Sequence, residues 1–327
     1  MKYSISAIVP NFNGRGLLEK NLPSLIRELE LCGTDYEVIV VDDCSTDDTG
    51  AFIKSKYPKV KLVEQTVNQG FSVTCNAGIR LATKELVFLM NSDIILTENY
   101  FGSQFRFFEK EDTFGVMGKI IGYYDDKVQD TAKYPKVKGF KLKACNNYEV
   151  VNAPKDFMTP SFYLSGANAL IARDKLVRIN GFDEIFSPFY SEDLDLSIRA
   201  WRMGWKCYYE PLSLCRHEGS VTTNALKKDT VFTTYQRNRY ILHSIHLDGI
   251  SRIMYNVQIS VDLLFRWVSF KFGIYKGYWR YLQMSKQIEE SRNNLEIIMK
   301  INKSNKSLVD IFKEMKSILA EFEIRRI

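Results

Sequence analysis

The 327-residue chain predicts a doubly wound α/β fold with a mostly parallel sheet and a helical C-terminal extension, and three observations carry that prediction. Short runs of Val, Ile and Leu recur between residues 4 and 91, apolar on both faces as strands of a covered parallel sheet are. Between them lie segments with apolar residues at helical spacing, and this alternation implies right-handed βαβ units. From about residue 225 the strand pattern stops and helical spacing continues to the end.

In order, "SISAIVP" (4–10) is a β-branched run stopped by Pro10. A helix follows from Leu17 to Leu31, with Leu18, Leu22, Leu25, Ile26 and Leu29 on one face and Gly33 as its stop. "YEVIVVD" (36–42) is the next strand, before a helix over about 47–56 that Ser45, Thr46 and Asp47 can cap. "KVKLVEQ" (59–65), a helix over about 71–83 and "ELVFLMN" (85–91) continue the series. The Lys-rich stretch "KYPKVKGFKLKACNNYEV" (133–150) reads as a hairpin or a loop over a site, its lysines as a solvated face. "SGANALIARD" (165–174) is a short strand, and "SEDLDLSIRAWRMGWKCYYEP" (191–211) a helix running into a strand. The domains read as 1–224 and 225–327.

Composition narrows the function classes. With 45% hydrophobic and 13% aromatic residues, disorder throughout is excluded. Six cysteines without a C-x-x-C pair, and no secretory signal pattern, read as reduced thiols of a cytoplasmic protein and argue against zinc. No apolar run reaches the length of a spanning helix. The net charge of +6 is uneven: residues 225–327 hold 18 Lys+Arg against 10 Asp+Glu, and the front 27 against 29. An acidic partner is therefore expected at the back of the molecule.

Polar residues at strand ends are the candidates for chemistry, because open α/β sheets bind ligands at the carboxyl edge of their strands. Asn91, Ser92 and Asp93 end one strand; they are turn formers, and Asp93 is equally a metal ligand. Asp42 and Asp43 follow another strand, ahead of the cap, where a carboxylate can accept a hydrogen bond from a base. Gly70 and Asn76 flank a helix start that suits phosphate. Neither G-x-x-x-x-G-K-[ST] nor G-x-G-x-x-G occurs, which counts against ATPase and dinucleotide readings. Glu192, Asp193 and Asp195 open a helix, where the dipole favours one or two of them and leaves another available as a base. His217, beside Glu218 in a polar turn, is either structural or a ligand.

Taken together, "IVPNFNG", "VIVVDDCSTDDT", "NQGFSVTCNAGIRLA", "LMNSD" and "GFDEIFSPFYSEDLDLSIRAWRMGWKCYYEP" resemble the family 2 glycosyltransferases of the GT-A fold, over roughly residues 4–222. The last block, with its H-x-x-S turn, is similar to bacterial rhamnosyltransferase-type members that build surface polysaccharides. The resemblance implies a donor half at about 1–118 and an acceptor half at about 119–224. It implies that Pro10, Asn11, Asn13, Asp42 and Asp43 edge the nucleotide pocket, and that Asn68, Gly70 and Asn76 line the nucleotide sugar. Asn91-Ser92-Asp93 matches the D-x-D motif with Asn in place of its first acid. Asp93 would then bind Mg²⁺ or Mn²⁺ across the diphosphate, with His217 reaching the same metal. Asp193, next to Glu192, matches the base of an inverting transfer to a hydroxyl of a glycan or lipid-linked glycan. A catalytically inactive sugar-nucleotide-binding or scaffold protein is the alternative, and a sugar-phosphate nucleotidyltransferase a more distant one.

In the tail, residues 251–284 hold nine aromatic and five basic residues against one acid. Trp267, Phe270, Trp279 and Tyr281 among Arg266, Lys271, Lys276 and Arg280 suit an amphipathic helix lying on an anionic membrane, at the inner face of the cell membrane. Packing on the front domain, or on a second copy as a homodimer, is the competing reading. The charge would suit nucleic acid too, but no nucleic-acid module accompanies it.

Overall fold

The computed structural model describes residues 3–219, 227–266 and 273–327. The βαβ series forms as the spacing predicts: β1 (Ile5–Asn11), α1 (Arg15–Cys32), β2 (Tyr36–Asp42), α2 (Thr49–Lys56), β3 (Lys61–Glu64), α3 (Phe71–Leu81) and β4 (Leu86–Met90). Gly33 closes α1 in a left-handed cap, with its N–H on the Glu30 carbonyl. The cap of α2 differs from expectation. The N-cap position falls on Asp48, whose side chain caps nothing; Asp47 accepts the Thr49 N–H from one residue further back, while Ser45 and Thr46 are bonded to Asn13.

The chain continues through β5 (Ile94–Leu96), β6 (Thr113–Gly122), β7 (Val128–Asp130), β8 (Ala132–Lys138), β9 (Lys141–Val150), β10 (Thr159–Pro160) and β11 (Asn168–Ala172). The Lys-rich stretch is thus a hairpin, β8 against β9. Then come α4 (Arg173–Arg178), α5 (Glu192–Arg202) and β12 (Lys206–His217). The main sheet runs β10-β12-β6-β11-β4-β1-β2-β3, with β5 on β12 and β7 on β6. It is parallel from β4 to β3, while β11 enters antiparallel between β4 and β6. That reversal delivers the 165–168 turn to the carboxyl end of β4, where the Asn91 N–H donates to the Ala167 carbonyl.

Beyond residue 226 lie α6 (Lys228–His246), α7 (Gly249–Arg266), α8 (Gly273–Gln283), α9 (Ser285–Ile301), α10 (Leu308–Ile318) and β13 (Ile324–Arg326). Ile241, Leu242 and Ile245 of α6, Ile288, Leu295 and Ile298 of α9, and Ile311 and Met315 of α10 join the same core as Ile8, Val41, Val87 and Trp201. β13 extends the hairpin into a second, three-stranded sheet. The front domain thus covers most of this region. Of the tail's expected membrane-facing residues, Tyr281 is bonded to Ser244 and packs inward, Trp279 is exposed, and Trp267, Phe270 and Lys271 lie outside the described residues. Among the described residues no helix is long and apolar enough to cross a membrane.

Candidate active site

Parallel register puts Asn11 and Asp42 side by side at the carboxyl ends of β1 and β2. Asn11 Nδ2 donates to Asp42 Oδ1 (3.0 Å) and Thr49 Oγ1 (3.3 Å), while its buried Oδ1 has no partner. Asp42 also accepts from the Ser45 N–H at 3.0 Å. Asn13, just past Pro10, donates its N–H to Ser45 Oγ and accepts the Thr46 N–H, both at 2.7 Å. These bonds stitch the two strand-end loops into one rim.

Asp43 sits in that rim with both oxygens engaged, Oδ1 by the Gln69 N–H and Oδ2 by the Gly70 N–H, each at 2.8 Å. Burial pushes its carboxyl up, and the two backbone donors oppose the rise. Asn68 adds a bond to the Asp43 carbonyl at 3.3 Å. The acid expected to read a base therefore anchors the 68–70 loop. Gly70 is required there: its φ is +87°, and a Cβ would lie 2.5 Å from Pro188 Cα. The next N–H, of Phe71, donates to the Pro188 carbonyl at 2.9 Å. Asn76 is buried and ties α3 to the 182–184 turn, donating to the Phe182 carbonyl and Glu184 and accepting the Phe182 N–H.

At the end of β4, Asn91 Oδ1 and Asp93 Oδ1 are buried oxygens with no hydrogen-bond partner. The pairing of β5 with β12 sets Ile94 opposite His217, which brings Asp93 Oδ2 to 3.1 Å from His217 Nε2. His217 Nδ1 lies 2.6 Å from Gln129 Oε1, so the amide holds the ring with its Nε2 toward the Asp93 carboxylate. One ring nitrogen beside a carboxylate and the other held by an amide oxygen is an arrangement that also suits a metal-binding imidazole. Among the described residues no cluster of three or more His, Cys, Asp or Glu holds a metal unaided. The set Asp93, His217 and amide Asn91 nevertheless fits a divalent cation that takes its remaining ligands from a bound molecule's oxygens. Ser92 lends its carbonyl to Asn21 Nδ2 at 2.7 Å, fixing the turn. Ser220, the last residue of the H-x-x-S turn, lies outside the described residues.

The three acids of α5 have separate fates. Asp195 is fully buried between Arg199 Nε (2.7 Å) and His246 Nε2 (2.9 Å). Burial alone would raise its carboxyl, but Arg199 and His246 outweigh it and hold the group below the usual range. Glu192 and Asp193 have no such cation. Burial pushes both well up, and for Glu192 the adjacent Asp193 charge adds to the rise. Asp193 keeps an accessible edge, while its Oδ1 is buried without a partner beside Gly166, where a Cβ would sit 2.5 Å away. Residues 166–167 thus touch both the base candidate and the Asn91 turn.

Just ahead of α5, Tyr190 and Ser191 both hold positive φ, 76° and 78°, a left-handed pair that side chains resist. Asn238 of α6, fully buried, points its Nδ2 at the carbonyls of Phe186 (2.6 Å), Phe189 (2.9 Å) and Tyr190 (2.8 Å). Arg237 donates to the Ser187 carbonyl. Sequence reasoning missed Asn238, Arg237, Gln129 and His246. None belongs to a motif, and only the fold shows what each one faces.

A family model described as glycosyl transferase family 2 matches residues 6–166. The chain is 32% identical over 127 residues to a poly(ribitol-phosphate) beta-glucosyltransferase of Bacillus spizizenii, covering 36% of this chain and 19% of that protein. It is 30% identical over 118 residues to the poly(ribitol-phosphate) beta-N-acetylglucosaminyltransferase TarP of Staphylococcus aureus, covering 35% and 36%. The matched stretch is thus about a fifth and a third of those relatives' lengths. Among solved structures, GalNAc-T7 with UDP, GalNAc and Mn²⁺ superposes with a TM-score of 0.66 at 14% identity, covering 98% of this chain and 58% of that one. That likeness shows the fold, GT-A.

Proposed function

We infer from the family 2 glycosyl transferase match over residues 6–166 and the GT-A fold that this chain moves a sugar from a nucleotide-diphosphate donor to a hydroxyl of a glycan or lipid-linked glycan, with inversion at the anomeric carbon. One observation carries the reading: the buried, partnerless Asn91 Oδ1 and Asp93 Oδ1 beside His217 at the sheet's carboxyl edge. Leaving such atoms unsatisfied costs about 1–3 kcal/mol each, a cost that a cation there would remove. Asp93, His217 and Asn91 would hold Mg²⁺ or Mn²⁺, and the bound ion would neutralise charge developing on the departing diphosphate. The Mn²⁺ and UDP bound by GalNAc-T7 support a cation and a nucleotide in this fold.

Pro10, Asn11, Asn13, Asp42 and Asp43 form the rim for the nucleotide. Asn68, Gly70 and Ser92 line the approach to the sugar, and Asn76 holds the neighbouring turn. Asp193 is the base. The acceptor oxygen bonds to the anomeric carbon as that carbon's bond to the diphosphate oxygen breaks. The nucleoside diphosphate leaves with the electron pair, and the acceptor proton passes to Asp193. A carboxyl lifted toward neutrality by burial suits that task, because a base works best with a pKa near the working pH. Glu192, the neighbouring buried acid, has its own carboxyl raised by burial and by the Asp193 charge. The poly(ribitol-phosphate) relatives support a polyhydroxylated acceptor and a place in bacterial surface polysaccharide synthesis.

The test is donor binding and hydrolysis across UDP-, GDP- and dTDP-sugars with Mn²⁺, Mg²⁺ or EDTA, for wild type and Asp93→Asn. Binding of one donor that needs the cation and is weakened about tenfold or more by Asp93→Asn is expected, the usual scale for a disturbed metal shell. Folded protein that binds no donor with metal present would leave the inactive scaffold as the better reading.

A further inference from the structure

Helix α7 packs inward through Tyr255, which stacks on His243, and through Ile259. Its opposite face is apolar as well. Ile250, Ile253, Met254, Val257, Val261, Leu264 and Phe265 are all exposed, Ile250 to 70% and Leu264 to 74%. Their spacing follows the helical repeat, so they form one continuous outward stripe about four turns long. No charged side chain interrupts it. The two acids in this stretch stand aside from the stripe and are held: Asp248 by Arg202 and Arg292, Asp262 by Lys141.

The Lys-rich hairpin meets α7 along one flank of that stripe. The Phe140 N–H donates to Gln258 Oε1 at 2.9 Å, and Lys141 pairs with Asp262. Gln258 and Asp262 are one helical turn from Met254, Val261 and Phe265, so the hairpin tip borders the apolar row. Lys136 and Lys138 are exposed at that tip with Val137 between them. Residues 132–143 hold five lysines and no acid.

We propose that the outward face of α7, together with the hairpin tip at Lys136–Lys138, is a docking surface for an anionic lipid bilayer. An uncharged apolar row can enter the headgroup boundary along its whole length, while lysines at its margin meet lipid phosphates. The charge selects this occupant over a second copy. A two-fold contact through the stripe would bring the lysine tips of two hairpins toward one another with no free acid on α7 to offset them. The proposal goes beyond the transfer reaction, and its binding measurement needs no donor.

The experiment is co-sedimentation of the full chain with vesicles of phosphatidylcholine alone or containing phosphatidylglycerol, at low and high salt, for wild type, Ile253→Glu/Val257→Glu and Lys136→Gln/Lys138→Gln. Wild type should bind the anionic vesicles and not the neutral ones. The glutamate pair should weaken binding about tenfold or more, and the glutamine pair should lower both binding and its salt dependence. Donor hydrolysis in solution should stay at the wild-type rate in both variants, which separates lost docking from misfolding. Wild type that ignores anionic vesicles, or binds both kinds equally, overturns the proposal. A wild-type dimer that the glutamate pair turns into a monomer, without vesicle binding, assigns the face to a second copy instead.

Discussion

At the scale of single residues, the strand-end acids were readable because each stands where an apolar strand stops, and strand ends are what a period-two pattern marks best. The division of labour among the acids that open α5 was not. Asp195 and Asp193 are two positions apart on one helix, yet Asp195 is neutralised by Arg199 and by His246, 51 residues further along the chain. Asp193 instead keeps a partnerless oxygen and a raised pKa. This difference fixes the expected pH dependence. Burial lifts the Asp193 carboxyl well above the usual carboxylate range, so the group stays protonated, and useless as a base, at pH values where an ordinary carboxylate is already ionised. Transfer should therefore go on rising with pH above the usual carboxylate range, where an ordinary carboxylate would already give a flat profile. Asp193→Asn should cost about 10²-fold or more in transfer while leaving donor binding close to wild type. Initial rates against pH for both proteins decide this. A variant near the wild-type rate would move the base elsewhere.

Among the elements, helix and strand positions followed the spacing closely, and the larger surprise is what α6 does. As a sequence it is an amphipathic helix after the last motif. In the fold it reaches over to the 186–191 turn, where Asn238 meets three carbonyls and Arg237 a fourth. An amide nitrogen carries only two hydrogens, so the three carbonyls share them, and the turn is drawn tightly around one side chain. That clamp offsets the cost of two successive left-handed residues, about 1–2 kcal/mol each. Asn238 is thus a positioning residue for α5, acting through the backbone ahead of Glu192 and Asp193. Asn238→Ala should lower kcat about 10- to 100-fold, the scale of a small misplacement of a reacting group. Its acid limb should shift with the altered burial of Asp193, while nucleotide affinity changes little, because Asp43 and the 68–70 loop keep their own bonds. An unchanged kcat and pH profile in folded protein would reduce Asn238 to a packing role.

For the molecule as a whole, the end of the strand pattern near residue 225 marks a change of element type, while the core runs on across it. Helical spacing announces that a helix has a buried face but not what buries it, so the sequence left open whether the tail covers the front domain, a partner or a membrane. In the fold the covering is extensive. Phe312 packs on Phe162 and Phe322 on Phe157, the Leu142 N–H donates to His243 Nε2, and Arg202 binds the Lys306 carbonyl and Asp248. The buried faces of α6, α9 and α10 belong to one cluster with the sheet. Cutting the chain after residue 224 would expose that cluster and also leave Asp195 buried with Arg199 but without His246. The truncated protein should therefore fail to fold, by the same accounting that makes removal of one partner from a buried pair cost several kcal/mol. In the full chain the shared core predicts one cooperative transition. Thermal melts followed by far-UV circular dichroism, which reports the many helices beyond residue 226, and by near-UV signals, to which Trp201 and Trp205 of the front domain contribute, should coincide. Two separated transitions, or a soluble folded fragment ending at 224, would show that the C-terminal helices are a body of their own and that the turn at 186–191 keeps its shape without them.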